Sequence, residues 1–466
     1  MQFTRRMFVT STLAAGTGLA AAAVPPSRAA AETTAISGEF EILGLKGTVT
    51  LILDEGIDPD QTFSFETETI SPKTAAVHIR LSADARLSVR KLTISVPVPL
   101  RDVQKIWHSQ QLDGMGQHAY VGIPWSVDIP AAGNCGCLIA GATNRYGRNR
   151  GILALKNQSG DGSLTFGNNY SSQFLNMAIN RFASDRPWHA DGIDETVYFS
   201  LEDTHWLHSV GKFVEWYDTV WKLSYSTPKA CFEPVWNTWY PSMGKLSDEF
   251  IDSNAKTCGE LGFKNLIIDD GWMAARGDWT ANRAVFPDFR ATVDRVHARG
   301  LRVVLWYFSM SMDERAAAFD TWKRYRLTVG GAPRNVLCVR CPEVREWMAS
   351  NAAALMKNYN LDGLRLDFLD PNIGGPLVNC PGDHPHDIEF VSDAIRDAAR
   401  RMADAIRAVK PDAIIEYRLN YANVANRQWG NCYRGQDTPS DPDLARRHLG
   451  LIRSWCRGVA PHSDPA

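Results

Sequence analysis

Hydrophobic and polar positions follow two different periods along this chain. Between residues 32 and 204, apolar and β-branched residues alternate with polar ones in short runs such as 48–53 and 92–98. Clusters of Gly, Asp, Asn and Pro separate these runs, and many short alternating strands joined by turns predict a β-sandwich domain. From residue 205 to 231 the apolar spacing becomes helical, which predicts a helical connector into a second domain.

From residue 232 to 466, predicted strands alternate with predicted helices. This order predicts a parallel α/β sheet of the (β/α)8 TIM-barrel type. Seven strands are predicted, so the barrel is expected to lack its last unit, through truncation or with a partner covering the open edge. The predicted strands are 234–240, 265–269, 302–308, the strand carrying Asp367, 413–417, 432–437 and 458–462, and the predicted helices are 248–261, 289–299, 312–325, 342–359, 388–409 and 443–455.

The N-terminus reads as a targeting segment. Arg5 and Arg6 precede an apolar, Ala-rich stretch at residues 7–24, and residues 29–31 offer a small-residue cleavage site. This pattern predicts a twin-arginine signal peptide over residues 1–31 and export to the periplasm or the cell exterior. No later apolar run approaches the length of a membrane span, so no membrane association is expected after cleavage.

The composition and the cysteine spacing argue against nucleic-acid binding and against a disulfide framework. The net charge of −2 and the 22 % of charged residues give no basic surface for nucleic acid. The nine cysteines form no disulfide framework, and the Cys-x-x-Cys pair at 338–341 has no second pair nearby, so buried packing is predicted there. His384 and His386 resemble part of a metal cluster, but Pro385 and the loop setting fit a helix entry as well, and the helix entry is the interpretation taken. No metal and no cofactor is therefore predicted, and an oligomer is possible.

Acidic and aromatic residues recur where the predicted barrel strands end, which is where such barrels display catalytic groups. Two carboxylates on different strands suit glycoside hydrolysis, with one attacking the anomeric carbon and the other acting as acid and base. In retaining enzymes the two stand about 5 Å apart. Asp367 and Asp437 are the predicted pair, and Asp441 is the alternative to Asp437, with helix capping as its structural role.

Three motifs then carry a resemblance: Asp-Asp-Gly-Trp at 269–272, the segment 362–368, and Trp-Asn-Thr-Trp at 236–239. They resemble the α-galactosidases of glycoside hydrolase family 36, the melibiase and raffinose-synthase group, in the clan that also holds family 27. The resemblance covers residues 232 to 466, and that family also carries a β-sandwich before its barrel. It implies a retaining exo-glycosidase acting on α-galactosides or a related pyranoside, with Asp367 as nucleophile and Asp437 as general acid/base.

The resemblance also implies a sugar-binding set. Asp269 and Asp270 match the pair that binds the 4- and 6-hydroxyls, and Arg434 resembles an arginine that contacts the 2-hydroxyl. Arg365 stands where the family usually has lysine, and residues 416–421 replace a Cys/Gly-rich motif, which leaves the sugar's 2-substituent open. The aromatic residues expected to wall the site are Trp236 and Trp306.

Two further functions stay open at this point. Without its last unit, the barrel could be a non-catalytic carbohydrate-binding protein. A galactosyl transferase of the raffinose-synthase type would use the same two carboxylates, with a sugar hydroxyl replacing water. In each case the expected partner is an oligosaccharide or glycoside.

Overall fold

A computed structural model gives the fold. The predicted signal segment, residues 1–31, and Asp437 lie outside the part of the chain that it describes. The described residues are 33–54, 61–108, 120–122, 126–130, 137–158, 162–168, 173–182, 187–224, 226–329, 332–369, 378–379, 384–388, 390–418, 423–435 and 441–463.

The first half of the chain forms one antiparallel sheet of twelve strands. Its central strand, β4, is 26 residues long and pairs with β12, β3, β2 and β11 along its length. The predicted sandwich is therefore one continuous hydrogen-bonded sheet. Its strands are β1 (Thr34–Ile42), β2 (Leu45–Leu53), β3 (Ser64–Ser71), β4 (Thr74–Pro99), β5 (Lys105–His108), β6 (Tyr120–Gly122), β7 (Ser126–Pro130), β8 (Ile139–Thr143), β9 (Asn149–Leu155), β10 (Gly162–Asn168), β11 (Phe174–Arg181) and β12 (Trp188–Ser200).

The second half contains seven parallel strands in chain order, β13-β14-β15-β18-β20-β21-β22. This sheet curls into a partial barrel, and the seven strands predicted for it are all present. The strands are β13 (Val235–Asn237), β14 (Asn265–Ile268), β15 (Arg302–Tyr307), β18 (Gly363–Leu366), β20 (Ile414–Arg418), β21 (Cys432–Arg434) and β22 (Ala460–His462). A small antiparallel sheet joins β16 (Arg326–Val329), β17 (Ala332–Leu337) and β19 (Val378–Asn379).

Helices connect these strands, and most begin where the sequence predicts. Ser247 caps α3 by accepting a hydrogen bond from the Phe250 N–H, and Pro342 begins α6. The helices are α1 (Trp206–Trp221), α2 (Trp239–Ser242), α3 (Asp248–Glu260), α4 (Phe289–Ala298), α5 (Phe319–Trp322), α6 (Pro342–Tyr359), α7 (Val391–Val409) and α8 (Pro442–Trp455). Among the described residues, no helix combines the length and apolar character needed to cross a bilayer.

Two predicted elements are wrong in extent. The helix predicted at 312–325 is reduced to α5 and a short 3₁₀ turn, because the Asp278 carboxylate accepts hydrogen bonds from the N–H groups of Ala317 and Ala318. These bonds come from a side chain about 40 residues earlier and take backbone N–H groups that a continuous helix over 312–325 would use for its own hydrogen bonds. The first barrel strand ends at Asn237, whose side chain accepts from the Trp239 N–H as α2 begins.

The connecting helix α1 packs the two halves together. Trp107 of the antiparallel sheet lies with its ring centroid 4.9 Å from that of Trp206 in α1 and 6.3 Å from that of Trp455 in α8. All three belong to one aromatic and aliphatic contact region that continues into the barrel helices. The sheet domain thus contacts the C-terminal end of α8, the helix that follows β21.

Candidate active site

Asp367 lies directly after the central strand of the parallel sheet. β18 pairs with β15 on one side and β20 on the other, and the Asp367 N–H donates to the Tyr307 carbonyl at 3.1 Å. A Cβ on Gly363 would lie 2.1 Å from the Ile414 carbonyl oxygen, so glycine is required where β18 begins. Phe368 takes a φ of 52°, which turns the chain sharply after Asp367. The carboxylate is therefore fixed at the strand end.

Four groups surround the Asp367 carboxylate. Trp306 Nε1 donates to Oδ2 at 3.0 Å, and Arg434 Nη2 donates to Oδ1 at 3.0 Å. Oδ1 also accepts from the Phe368 N–H at 3.0 Å and lies 3.5 Å from Arg418 Nε. Burial would raise the pKa of Asp367, but Arg434, Arg418 and the other donors outweigh it and lower that pKa below its usual value. Asp367 is thus held ionised although it is only 6 % exposed.

Arg365 links two further carboxylates on the floor of the same site. Its Nε lies 3.2 Å from Asp269 Oδ2, and its Nη1 lies 3.2 Å from Glu416 Oε1. Arg365 and Glu416 are register partners on β18 and β20, so their side chains lie side by side. Arg434 Nε lies 3.7 Å from the same Glu416 oxygen, which connects this pair to Asp367. Positive and negative groups therefore alternate across three neighbouring strands.

Asp269 and Asp270 follow β14 and differ in environment. Asp269 is buried, its N–H donates to Thr238 Oγ1 at 2.9 Å, and its Oδ1 accepts from the Asp270 N–H at 2.8 Å. Burial raises the pKa of Asp269, against the lowering effect of Arg365. Asp270 is partly exposed and forms a salt bridge with Arg276. One carboxylate therefore belongs to the internal network, and the other lies nearer to solvent.

Most of these groups line one cavity of about 400 Å³, at the lower end of the range for small-ligand sites, whereas Glu416 lines the neighbouring cavity. Six of the predicted site residues lie in its wall: Asp269, Asp270, Trp306, Arg365, Asp367 and Arg434. Trp306 is almost fully buried and meets Asp367 through its N–H, while the Arg276 guanidinium lies 5.4 Å from the centre of its ring. The cavity is polar at its floor and aromatic at its sides.

Trp236 does not line this cavity. It contributes to a neighbouring one of about 550 Å³, which lies between β13 and β22, the two edges of the parallel sheet. Arg365 and Arg434 line both cavities. Because β13 ends at Asn237, it is Trp239, at the start of α2, that reaches the cavity around Asp367.

Three charged residues of the site were not assigned from the sequence. Glu416 and Arg418 lie on β20, in the segment recognised only as a departure from the family 36 motif, and His462 lies on β22. His462 Nδ1 is 2.9 Å from Glu416 Oε2, and its Nε2 is 2.8 Å from the Cys231 carbonyl oxygen. Burial favours the neutral imidazole, but these two acceptors outweigh it and raise the pKa of His462. The available sequence signal was the pair of charged residues at alternate positions of β20, Glu416 and Arg418, in an otherwise apolar strand.

The predicted acid/base, Asp437, falls just beyond the last described residue of this segment, Gly435. The strand that leads to it, β21, brings Arg434 against Asp367. Its alternative, Asp441, is described: the carboxylate caps α8 by accepting from the Leu444 N–H at 2.8 Å. Asp441 therefore has the helix-capping role considered for it in the sequence.

One group of side chains among the described residues is close enough to hold a metal ion, and it lies outside the cavity. It consists of Cys338, Cys341, His384 and His386. The cysteine pair was predicted to be buried packing, and the histidines were interpreted as a helix entry in preference to a metal site. The two pairs are 43 positions apart in sequence and meet only in the fold, so sequence spacing did not indicate a four-residue cluster.

Comparison with known proteins points to glycoside hydrolases. A family model for the TIM-barrel domain of glycosyl hydrolases family 31 matches residues 249–459. A probable α-galactosidase G from Emericella nidulans is 25 % identical over 155 residues, which cover 28 % of this chain and 21 % of that protein. An A type blood α-D-galactosamine galactosaminidase from Flavonifractor plautii is 24 % identical over 167 residues, covering 30 % of this chain and 15 % of that protein. The matched segments span only 21 % and 15 % of the length of these two relatives.

Solved structures give the same fold. The crystal structure of the GH36 α-galactosidase AgaA from Geobacillus stearothermophilus superposes with a TM-score of 0.64 at 12 % identity, covering 93 % of this chain and 65 % of that one. TtGalA, the α-galactosidase from Thermus thermophilus, gives 0.56 at 16 % identity, covering 86 % and 84 %. The chain is thus α-galactosidase-like in fold, with a family 31 match over its barrel.

Proposed function

We propose that this chain is a retaining exo-glycosidase of the family 36 type that hydrolyses α-galactosides or a related pyranoside. The observation that carries this proposal is the Asp367 carboxylate, buried yet held ionised at the end of β18 and facing a cavity with Asp269 and Asp270. Burying an anion costs free energy, which the surrounding arginines and Trp306 offset here, and a nucleophilic carboxylate must be ionised. The α-galactosidase relatives support the choice of sugar.

In the first step, Asp367 Oδ attacks the anomeric carbon and forms an ester bond to the sugar. The glycosidic bond breaks, and the acid form of Asp437 gives its proton to the leaving oxygen. In the second step, the Asp437 carboxylate takes a proton from water, whose oxygen attacks the same carbon and releases Asp367. Two inversions at one carbon retain the α configuration.

Asp269 and Asp270 supply the acceptors for sugar hydroxyls. A carboxylate that accepts from a hydroxyl makes a charge-assisted hydrogen bond, which is about twice as strong as a neutral one. Asp269 is oriented by Arg365, which also contacts Glu416. The arginine at position 365, where the family usually has lysine, and the changed segment 416–421 therefore act together. Glu416 forms an ion pair with the second end of the larger guanidinium group.

The test is hydrolysis of p-nitrophenyl glycosides by the purified chain. A panel of α-galactoside, α-N-acetylgalactosaminide and β-L-arabinopyranoside identifies the sugar, and we expect turnover of at least one. Asp367→Asn should reduce kcat by on the order of 10⁴-fold or more, as loss of a catalytic nucleophile does. Asp294→Asn, on the exposed face of α4, is the control and should keep full activity.

Azide separates the two catalytic roles. With Asp367→Ala, azide should occupy the vacated space and give the β-glycosyl azide; with Asp437→Ala, it should attack the glycosyl-enzyme and give the α-glycosyl azide. Sugar binding without turnover by the wild-type chain would instead support a carbohydrate-binding protein. Oligosaccharide products that replace hydrolysis at high acceptor concentration would support a transferase of the raffinose-synthase type.

We also propose export of the chain by the twin-arginine route, on the basis of Arg5 and Arg6 before the apolar stretch. Replacing both arginines by lysine should leave the protein in the cytoplasm. Cell fractionation with an antibody to the barrel measures this. Unchanged export of the double variant would contradict the route.

A further inference from the structure

We propose that Cys338, Cys341, His384 and His386 form a structural zinc site. Their four possible ligand atoms all lie within 4.8 Å of one another. Tetrahedral zinc with Zn–S bonds of about 2.3 Å and Zn–N bonds of about 2.0 Å places its ligand atoms roughly 3.3–3.8 Å apart. Cys338 Sγ and His386 Nε2 are already 3.4 Å apart. Two thiolates with two imidazoles in such a cluster favour zinc over magnesium or calcium.

The cysteine pair is presented by the connection between β17 and α6. The Cys338 N–H donates to the Tyr325 carbonyl at 2.8 Å, and the Cys341 N–H donates to the Cys338 carbonyl at 3.2 Å, which closes a tight turn. Cys341 occupies the N-cap position of α6, but its side chain makes no capping hydrogen bond. Both sulfurs are buried and outside any disulfide, so the turn directs two thiols to one point.

The histidine pair is oriented from the other side. His384 Nδ1 lies 3.1 Å from the Arg324 carbonyl oxygen, which places a proton on Nδ1 and leaves the lone pair on Nε2. Zinc-bound histidines are typically fixed in this way by a carbonyl or carboxylate behind the ring. The His384 and His386 rings are nearly perpendicular with centroids 5.1 Å apart, and a ring nitrogen of each lies within 4.8 Å of both sulfurs.

A buried arginine fastens the two segments to each other. Arg345 of α6, which has no exposed surface, donates to both Asp387 oxygens at 2.6 and 2.8 Å and to the Val339 carbonyl at 2.8 Å. It also donates to Asp397 of α7 at 2.7 Å. The ligand residues are therefore held near their final geometry by contacts independent of the metal. Two thiolates neutralise the dication, so the filled site adds no net buried charge.

The site is closed by four protein ligands, which is the arrangement of structural zinc and leaves no position for substrate. It ties the end of β17 to the segment before α7. Val336 of β17 lies two residues before Cys338 and lines the cavity around Asp367. We therefore expect the metal to stabilise this wall of the barrel, and its loss to lower stability more than it lowers the turnover of the folded enzyme.

The experiment is metal analysis of the full chain, purified with a tag that contains no histidine and without chelators. We expect about one zinc per chain, bound tightly enough to survive dialysis. Cys338→Ser and His386→Ala should each lose most of the zinc. Cys258→Ser changes a buried thiol in α3, outside the cluster, and should keep it. Cobalt replacing zinc should give a thiolate charge-transfer band and the intense visible bands of a tetrahedral site.

If the ligand variants fail to fold, the wild-type chain still decides the question. A strong chelator should remove the zinc and lower the Tm, and zinc added back should restore it. Purified protein with a disulfide between Cys338 and Cys341, with iron in place of zinc, or with no metal and an unchanged Tm in chelator would overturn the proposal. Retained activity against glycosides is not required for any of these readouts, so they are independent of the proposed function.

Discussion

The antiparallel sheet and the carboxyl end of the parallel sheet bury opposite kinds of side chains. The antiparallel sheet encloses aliphatic and aromatic side chains such as Val49, Leu153 and Phe199, each without exposed surface. The carboxyl end of the parallel sheet buries Asp367, Glu416 and their arginines instead. Apolar burial stabilises a domain by about 25 cal/mol per Å², whereas replacing a buried ion pair by apolar residues is often neutral or stabilising. Apolar burial, which continues into the barrel, accounts for folding, whereas the buried charges are interpreted through the proposed catalytic role.

The largest expected effect on stability lies in the apolar interior. Phe199→Ala should lower the free energy of unfolding by about 3–5 kcal/mol, because it leaves a cavity in a tightly packed core. Urea denaturation measures this, and kcat of the protein that remains folded should be unchanged. A large fall in kcat at unchanged stability would show that the two interiors are not separate in role.

The matching change in the charged interior should act mainly on catalysis. Arg434→Met removes the guanidinium that contacts both Asp367 and Glu416, and should lower kcat/KM by about 10²–10³-fold, the size of effect found when one preorganised donor is lost. Arg434 also lowers the pKa of Asp367, so the acidic limb of the pH profile should move to higher pH. Arg446→Met, on the surface of α8, is the control. An unmoved acidic limb would argue against Asp367 as the titrating group.

A smaller effect is expected from the His462–Glu416 pair, and it should depend on pH. The pKa of His462 is raised in the fold, so its contribution is complete below the unfolded value of about 6.5 and is lost as pH rises through the folded value. The stability difference between wild type and His462→Gln should therefore shrink from pH 6 to pH 9. The pKa of Glu416 is lowered, so the pair also weakens at acid pH. Thermal melts across this range measure the difference, and a constant difference would contradict a charged His462.

The smallest effect belongs to exposed charges. Arg446 and Asp443 are paired at 3.1 Å on α8, but both side chains are about three-quarters exposed. Arg446→Ala should change the free energy of unfolding by less than about 0.5 kcal/mol, because solvent screens such pairs. A larger loss in the urea midpoint would show that charge outside the site also matters to this fold.

Sequence patterns predicted those parts of the fold that depend on local signals. The capped helices α3 and α6 begin where Ser247 and Pro342 stand, and Asp367 ends its strand as expected. The prediction of a helix at 312–325 was wrong in extent because the Asp278 carboxylate, more than thirty residues earlier, accepts hydrogen bonds from backbone N–H groups of this segment. A contact of that kind has no periodic signature.

The same limit applies to the two clusters of polar residues. Arg365 and residue 416 stood out separately as departures from a family pattern, and their pairing on adjacent strands became visible only in the register of β18 and β20. Likewise, Cys338 and Cys341 are half of the proposed zinc site, and the fold brings His384 and His386 beside them. Pairings between distant segments depend on topology, which local spacing does not encode.

The central claim is that Asp367 becomes covalently bound to the sugar, and trapping tests it most directly. A 5-fluoro-α-galactosyl fluoride slows hydrolysis of the intermediate, so the labelled protein can be digested and its peptides analysed by mass spectrometry. We predict one added fluorosugar on the peptide that contains Asp367, and none in Asp367→Asn. An active enzyme that carries the label on another carboxylate, or hydrolyses substrate with inversion and no label, would contradict the account.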